Sequence, residues 1–443
     1  MTPPAVPPVK PSVTPPVAPR SRKLALRASS NVMLSSAASK AEERGIKTGK
    51  PMRSYEALTM ANALSWFVDV FIATLFYPVK ASLPPYADAP NNAIYKIPDK
   101  CCLGIAADWG SGTESAIRVA EGIRTFNPDV TIHMGDVYFA GTPDEYDRIF
   151  IGEPPGAPGS WPRGSAKRHR LDDALAAYAM NGNHEMVSGG YGLIEHALPA
   201  LDQKTTYFAL ENAHWRIVAL DTGYTQPHGG LSQMFSNFLT DSTSGLTPDQ
   251  EKWLAECVFK DSADKRPVIL LSHHQPMSAF EVATPALITQ LAPYLDRTLL
   301  WFWGHEHRLA LYAPVQLGGH TVRGRLIGHA GMPIAPTFTP LANSEWTSAI
   351  VATPPDGVGL KDAIDGTLYA YCGYMMVTLE DEKLTVRYYN EDPNQGAAPP
   401  HPILEEVWTA DSTGACTGRA TVCDSQMLRF WPSHTVDDLT RQP

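Results

Sequence analysis

The chain has 443 residues, of which 44% are hydrophobic, enough for a sizeable core. Its formal net charge is −10, but residues 1–56 carry +7 and the remainder therefore carries −17. An acidic body of this kind argues against non-specific nucleic-acid binding, which depends on neutralising phosphates. Six cysteines without a CxxC pair argue against a thiolate zinc site and a disulfide scaffold. Cys416 and Cys423 could bridge, but we expect two ordinary small hydrophobic side chains.

Residues 1–56 are predicted to form a disordered tail. Eight prolines fall within residues 1–20, and residues 21–56 are polar and basic with few aromatic side chains. The first stretch has no apolar run of the kind found in secretory signals. We therefore expect a cytoplasmic protein without a specific nucleic-acid partner. Its basic tail suits either non-specific nucleic-acid binding or contact with an acidic membrane surface.

Residues 57–77 form an almost wholly apolar segment without Gly or Pro, which predicts a helix, followed by a linker up to residue 99. A helix that is apolar on all sides is either buried in protein or placed in a membrane. Its length of about 20 residues would just span a bilayer. Asp69 near the middle would cost roughly 2.5–3.5 kcal/mol there. We favour a buried or docking helix, and membrane association through this segment is the alternative.

Residues 100–390 alternate between strand and helix signals and are predicted to be one α/β domain. The predicted strands cover 102–107, 130–134, 176–180, 214–220, 267–271 and 299–303, and the predicted helices 116–123, 249–259 and 286–295. Further along, 371–380 and 383–389 flank Asp381-Glu382 and indicate a hairpin. Residues 391–443 are rich in Pro, Gly and Ser and are expected to wrap the surface as a carboxyl-terminal extension.

Five of these strands end in acidic, amide or imidazole side chains. They are Asp108, Asp136, Asn183, the pair His273 and His274, and His305 with His307. Because ligands bind at the carboxyl ends of strands in α/β sheets, these residues can converge across 200 positions. Any one alone is equally a helix cap or a buried core residue, but five are hard to explain in that way. Asp and Asn oxygens combined with His nitrogens suit two ions of Fe, Mn or Zn.

The ordered motifs Asp108, Gly135-Asp136, Gly182-Asn183-His184-Glu185, His273-His274 and Gly304-His305-Glu306-His307 resemble those of the calcineurin-like metallophosphoesterases. The resemblance covers residues 102–308 and implies an α/β fold, a four-layer α/β/β/α sandwich. It also implies two divalent or trivalent metal ions and a metal-bound hydroxide as the nucleophile. By motif, Asp136 would bridge the ions, and Asp108 and His307 would bind the first. Asn183, His305 and either His273 or His274 would bind the second, and His184 would act on the leaving oxygen or the phosphoryl group.

The first motif departs from the usual pattern because Asp108-Trp109-Gly110 lacks the His that many members place there. This motif resembles the purple acid phosphatase branch, in which a Tyr after the second motif replaces that His. Here the expected position is Phe139, and Tyr138 lies one residue early. Tyr138 is therefore either a metal ligand or a side chain packed beside Phe139. The shifted register slightly favours packing and a colourless first site.

Several other assignments depend on single residues. Matching on His-x-Pro selects His274 as the ligand, whereas matching on the doubled His selects His273. His133 and Asp221 are expected to be structural residues.

The stretch 144–173 is either a solvent-exposed loop, which we favour, or a lid that steers anions toward the site. Its basic residues are Arg163, Lys167, Arg168 and Arg170.

The sequence thus predicts a metal-dependent hydrolase of small-molecule phosphate esters. Whether it is a phosphomonoesterase or a phosphodiesterase depends on loops rather than on metal ligands. The alternative is a binding or scaffold protein on the same fold, non-catalytic or membrane-associated. Loss of the ligand residues would distinguish a scaffold protein, and nearly all of them are present.

Overall fold

The computed structural model describes residues 75–165, 174–226, 244–361, 366–393 and 400–442. The predicted tail 1–56 and nearly all of the predicted helix 57–77 lie outside these ranges. No helix within the described ranges combines the length and the apolar character needed to cross a membrane.

Two large sheets dominate the fold. The strands are β1 (Ile94–Lys96), β2 (Lys100–Ala106), β3 (Val130–His133), β4 (Ala177–Ala179), β5 (Phe208–Glu211), β6 (Arg216–Leu220), β7 (Val268–Ser272), β8 (Thr298–Trp303), β9 (Leu309–Tyr312), β10 (Val315–Leu317), β11 (His320–Val322), β12 (Gly324–Ile327), β13 (Ile350–Thr353), β14 (Leu360–Lys361), β15 (Leu368–Tyr369), β16 (Gly373–Glu380), β17 (Lys383–Asn390), β18 (Leu404–Ala410), β19 (Cys416–Val422) and β20 (Arg429–Phe430). The first sheet has the order β1-β5-β6-β7-β8-β12-β9-β13-β20, and the second has the order β19-β18-β17-β16-β2-β3-β4. Two small hairpins, β10-β11 and β14-β15, lie outside these sheets.

Helices cover the outer faces of both sheets. They are α1 (Glu114–Thr125), α2 (Pro143–Glu145), α3 (Asn183–Val187), α4 (Leu198–Leu201), α5 (Pro248–Trp253) and α6 (Pro285–Leu291), with π-helical turns at Tyr146–Ile151, Leu193–Ala197 and Leu254–Val258 and 3₁₀ turns at Tyr86–Asp88, Pro90–Ala93, Ala292–Arg297, Thr347–Ala349 and Val436–Leu439. Thr113 caps the amino-terminal end of α1, because its hydroxyl accepts a hydrogen bond from the Ala116 amide at 3.2 Å.

Three apolar clusters form the layers of a sandwich. The central cluster joins Ile105 of the second sheet to Leu271 and Phe302 of the first. One outer cluster packs α1 against the second sheet, and the other packs α5 and α6 against the first. These clusters bury the inner face of each helix and both faces of each sheet. The predicted α/β/β/α sandwich is therefore confirmed.

The predicted strands and helices of the central region are present, with ends shifted by one or two residues in most cases. The hairpin at Asp381-Glu382 is formed by β16 and β17, which pair from Gly373↔Asn390 to Glu380↔Lys383. Within the segment 391–443, β18 and β19 extend the second sheet beyond β17. Trp408 of β18 is fully buried, so this segment contributes core as well as surface. The six cysteines are free in the structure.

A buried ion pair joins β18 to the first sheet. Arg325 of β12 donates from Nε and Nη2 to the two carboxylate oxygens of Glu406, at 2.7 and 2.8 Å. Tyr388 donates to the same carboxylate at 2.7 Å. Arg325 and Glu406 are both fully buried, so removal of either charge leaves the other without compensation.

We expect Glu406→Gln to lower the free energy of unfolding by roughly 3–5 kcal/mol, the usual cost of breaking a buried ion pair from one side. Urea denaturation followed by circular dichroism would measure it. The matched control is Glu405→Gln on the same strand, because the Glu405–Arg387 pair is partly exposed and should contribute less than about 1 kcal/mol. Equal losses in the two variants would contradict this account of the core.

Candidate metal centre

The polar residues at the strand ends come from both sheets and meet between them. Asp108 follows β2, Asp136 follows β3, and α3 begins at Asn183 after β4, all on the second sheet. The others follow strands of the first sheet: His273 comes after β7, and His305 and His307 come after β8. The carboxyl ends of the two sheets therefore enclose one crevice.

Left-handed backbone and glycines allow the loops to approach closely. Asp108, Asp136 and His305 have φ of 62°, 71° and 68°, a region that non-glycine residues seldom adopt outside functional sites. A Cβ at Gly182 would lie 2.2 Å from Asp136 Oδ1, and one at Gly304 would lie 2.6 Å from Asp108 Oδ2. Only glycine fits at these two positions, which explains the Gly in both motifs.

One group of oxygen and nitrogen atoms gathers around the phenol of Tyr138. Its hydroxyl donates to Asp108 Oδ1 at 3.1 Å and lies 3.3 Å from Asp136 Oδ2. The same oxygen lies 2.9 Å from Nε2 of His307. The expectation that Tyr138 merely packs beside Phe139 is thus corrected. Its ring does contact Phe139 edge-on, but the loop still turns the hydroxyl into the crevice.

A second group of atoms surrounds the side-chain oxygen of Asn183. Oδ1 of Asn183 lies 2.9 Å from Nε2 of His273 and 2.9 Å from Nδ1 of His305. His273 Nε2 is also 3.3 Å from Asp136 Oδ1. Asp136 therefore faces both groups, one oxygen toward each. The other ring nitrogen of His305, Nε2, points away from Asn183 and lies 3.5 Å from the Glu281 carboxylate.

The two neighbouring histidines, His273 and His274, have different hydrogen-bond partners. His273 engages the Met134 carbonyl through Nδ1 at 2.9 Å, which orients Nε2 toward Asp136 and Asn183. His274 is also close, since ligand atoms of His273, His274 and His305 lie within 4.8 Å of one another. Both of its nitrogens are engaged, however: Nδ1 lies 2.9 Å from the Thr222 hydroxyl and Nε2 lies 2.8 Å from the Gln226 amide.

His184 stands beside both groups of atoms. Its backbone amide donates to Asp136 Oδ1 at 3.0 Å. Its Nδ1 lies 2.7 Å from the carbonyl of Phe139, so Nδ1 carries the proton in the neutral ring and Nε2 is the unprotonated nitrogen. Nε2 is 3.8 Å from Asp136 Oδ2, and the ring lies 4.5 Å from that of Tyr138.

The crevice holds two buried carboxylates without a conventional cation. Asp108 and Asp136 are 0% and 1% exposed, and within the described ranges neither has a Lys or Arg partner. Burial raises the pKa of Asp108 to about 8; Asp136 adds to this effect and His273 opposes it. Burial opposes ionisation of Asp136, but His273 and His184 hold its pKa well below the usual range. Buried carboxylates that converge with imidazoles and an amide fit the ligand set of hard to borderline metal ions.

Other residues singled out from the sequence lie elsewhere. His133 is packed among Trp109, Phe150 and Trp161 and does not reach the crevice by any hydrogen bond. Asp221 accepts hydrogen bonds from Thr206, Asn181 and two backbone amides, a structural role. Arg163 donates to the Ala200 carbonyl at the surface. The remaining basic residues of that stretch, Lys167, Arg168 and Arg170, lie outside the described ranges.

Glu185 is a residue of the third motif for which the sequence predicted no role, and it supports the loops of the crevice. Glu185 accepts hydrogen bonds from the amides of Asp136, Val137 and Gly182 at 2.7–3.1 Å. Burial, with Asp136 nearby, raises the pKa of Glu185 to about 7. Its position in Gly182-Asn183-His184-Glu185 was the available signal. Glu281, by contrast, has no sequence signal, because its approach to His305 depends on the path of the 275–284 loop.

Comparison with known proteins finds one family model that matches part of the chain. The sequence model of the calcineurin-like phosphoesterase family matches residues 103–309, which include every residue of the crevice described above. Among curated protein sequences, none matches this chain significantly.

Similar solved structures include purple acid phosphatase PPD1 from yellow lupin seeds, with 13% identity and a TM-score of 0.46. That match covers 72% of this chain but only 56% of the lupin chain. The structure of PhoD has 13% identity and a TM-score of 0.40, with 77% of this chain and 73% of that chain covered. GAP50, the anchor in the inner membrane complex of Plasmodium, has 12% identity and a TM-score of 0.38, with 68% and 87% covered. Residues 103–309 are thus the part of the chain that is similar to the calcineurin-like phosphoesterase family.

Proposed function

We propose that the protein hydrolyses small-molecule phosphate esters with two metal ions held in the crevice. The observation that carries this proposal is the position of Asp136, whose two oxygens face the two groups of ligand atoms. A carboxylate shared in this way is what a pair of ions requires in order to act together on one ester.

The two ions would have separate ligand sets. The first would be held by Asp108, Tyr138, His307 and one oxygen of Asp136. The second would be held by Asn183, His273, His305 and the other oxygen of Asp136. When bound, such a pair polarises the phosphoryl group and lowers the pKa of water.

The protein's own residues would supply orientation and a proton. Contacts to the Met134 carbonyl and to Glu281 fix the rings of His273 and His305 from outside, as supporting groups do in metal sites. Nε2 of His184 would hold a proton and deliver it to the leaving oxygen, because Phe139 fixes Nδ1 and so orients the ring. Nearly all residues of the motifs that the chain resembles are present, the exception being the His missing after Asp108, and this argues against a scaffold function.

Metal analysis and a substrate panel test this proposal together. We expect the purified protein to contain up to two transition-metal ions. A chelator should abolish hydrolysis, because within the described ranges no Lys or Arg pairs with Asp108 or Asp136 and could replace the positive charge of the metal ions. Readdition of Fe, Mn or Zn should restore activity. p-Nitrophenyl phosphate and bis(p-nitrophenyl) phosphate would distinguish monoesterase from diesterase activity.

The control is a circular dichroism spectrum of the chelated protein, which should match that of the untreated protein. Hydrolysis that persists after complete metal removal would refute the proposed function. Failure of every ester to react with fully metal-loaded protein would do the same.

A further inference from the structure

A second cleft lies at the opposite ends of the strands from the metal centre. It has a volume of about 740 Å³ and is lined by residues that precede β7, β8 and β12, among them Pro267, Arg297 and Arg323. The metal ligand His273 follows the other end of β7. The five residues of β7 alone span about 17 Å, so the two sites are separate.

The cleft is lined by more basic than acidic side chains. Lys265, Arg297 and Arg323 line it together with Asp261 and Asp296, which leaves one positive charge in excess. The body of the chain from residue 57 onward carries −17. Arg297 pairs with Asp264 at 3.2 Å, so the cleft as a whole is close to neutral. It is therefore less acidic than the rest of the chain, which allows an anionic ligand to approach Arg323.

Arg323 is the buried member of this group. It is only 6% exposed, and its guanidinium lies over the ring of Trp408 at 5.2 Å. Nη2 donates to the Arg441 carbonyl at 2.9 Å, whereas Nε has no hydrogen-bond partner. Within the described ranges no carboxylate forms an ion pair with it.

The carboxylate whose charge acts on Arg323, that of Glu406, already pairs with another arginine. Glu406 gives both oxygens to Arg325, as described above. Two buried guanidinium groups thus share one buried carboxylate, and the surplus positive charge lies on Arg323, which borders the cleft. A buried cation without a carboxylate partner is costly, and an anion that enters from solvent would lower this cost.

We propose that this cleft binds the phosphate group of a small ligand through Arg323, with Lys265 and Arg297 at its entrance. The guanidinium fork matches phosphate oxygens in charge and geometry. The volume exceeds that of a bare phosphate ion, so the same chemistry accommodates inorganic phosphate or a phosphorylated small molecule. The site acts independently of hydrolysis at the metal centre.

Isothermal titration of the metal-loaded protein with inorganic phosphate tests this assignment. We expect two binding events in the wild type, one at each site. Arg323→Met should weaken one of them about 10- to 100-fold, the loss expected for charge-assisted hydrogen bonds, and leave the other intact. Asp136→Ala should show the reverse pattern. Arg419→Met, an exposed arginine on the neighbouring strand β19, is the matched control and should bind as the wild type does.

Two results would overturn the proposal. One is an unchanged isotherm for Arg323→Met, and the other is loss of all phosphate binding in Asp136→Ala. If Arg323→Met does not fold, Lys265→Met replaces it, because Lys265 is exposed; several-fold weaker binding would support the site and unchanged binding would oppose it. Ribose 5-phosphate is the second probe: tighter binding than inorganic phosphate identifies a phosphorylated molecule as the occupant, and equal binding identifies phosphate itself.

Discussion

Replacement of His184 by Asn should lower turnover by roughly 10²–10⁴-fold while metal content stays close to that of the wild type. The side chain provides a proton-transfer group through Nε2, held in place by the Phe139 carbonyl. The contact of His184 with Asp136 that shapes the loop is made by the backbone amide, which Asn retains. The loss should therefore fall on chemistry rather than on metal binding.

Comparison with Asp136→Ala separates these two roles. Asp136 faces both groups of ligand atoms, so its removal should abolish metal binding and hydrolysis together. Metal content would be measured by mass spectrometry and turnover with esters of strong and weak leaving groups. A general acid matters most for weak leaving groups, so the defect of His184→Asn should grow along that series. Equal metal loss in the two variants would show that His184 is a ligand instead.

The strand-end residues could be identified from the sequence for a simple geometric reason. A buried strand is a short apolar run, so the polar residue at its end is visible, as with Asp108 after 102–107 and His273 after 267–271. Strands that point the same way place their ends at one edge. Convergence within each sheet therefore follows from strand direction, and the packing of the two sheets then brings the two sets of residues together.

Other features could not be read from the sequence because they depend on loop conformation or on distant chain segments. The contacts that distinguish His273 from His274 come from the Met134 carbonyl on one side and from Thr222 and Gln226 on the other. The contribution of β18 to the core depends on Glu406 meeting Arg325, 81 residues away in the chain. Composition alone made 391–443 look like a surface wrap, although Leu404 and Trp408 of β18 are fully buried.

Tyr138 shows how one residue of register can mislead. Counting from Asp136 places Phe139 where a tyrosine ligand is expected, yet the hydroxyl of Tyr138 reaches Asp108, Asp136 and His307. Burial, with the charges of Asp108 and Asp136, raises the pKa of Tyr138 well above its usual range. Only a strongly charged cation at this position would stabilise the phenolate, since a bound ion inverts the local preference for protonation.

The iron-loaded protein should accordingly be coloured, with a visible phenolate-to-iron charge-transfer band that Tyr138→Phe removes. A hard trivalent ion stabilises an anionic oxygen more than Zn²⁺ or Mn²⁺ does, so the first site should prefer ferric iron. The matched control is Tyr146→Phe. Tyr146 is also fully buried, but its hydroxyl donates to Glu185 at 2.9 Å and not to the first group of ligand atoms. Absorption spectra of the three iron-loaded proteins decide the matter: a colourless wild type, or a band that survives in Tyr138→Phe, would show that the phenol does not bind the metal.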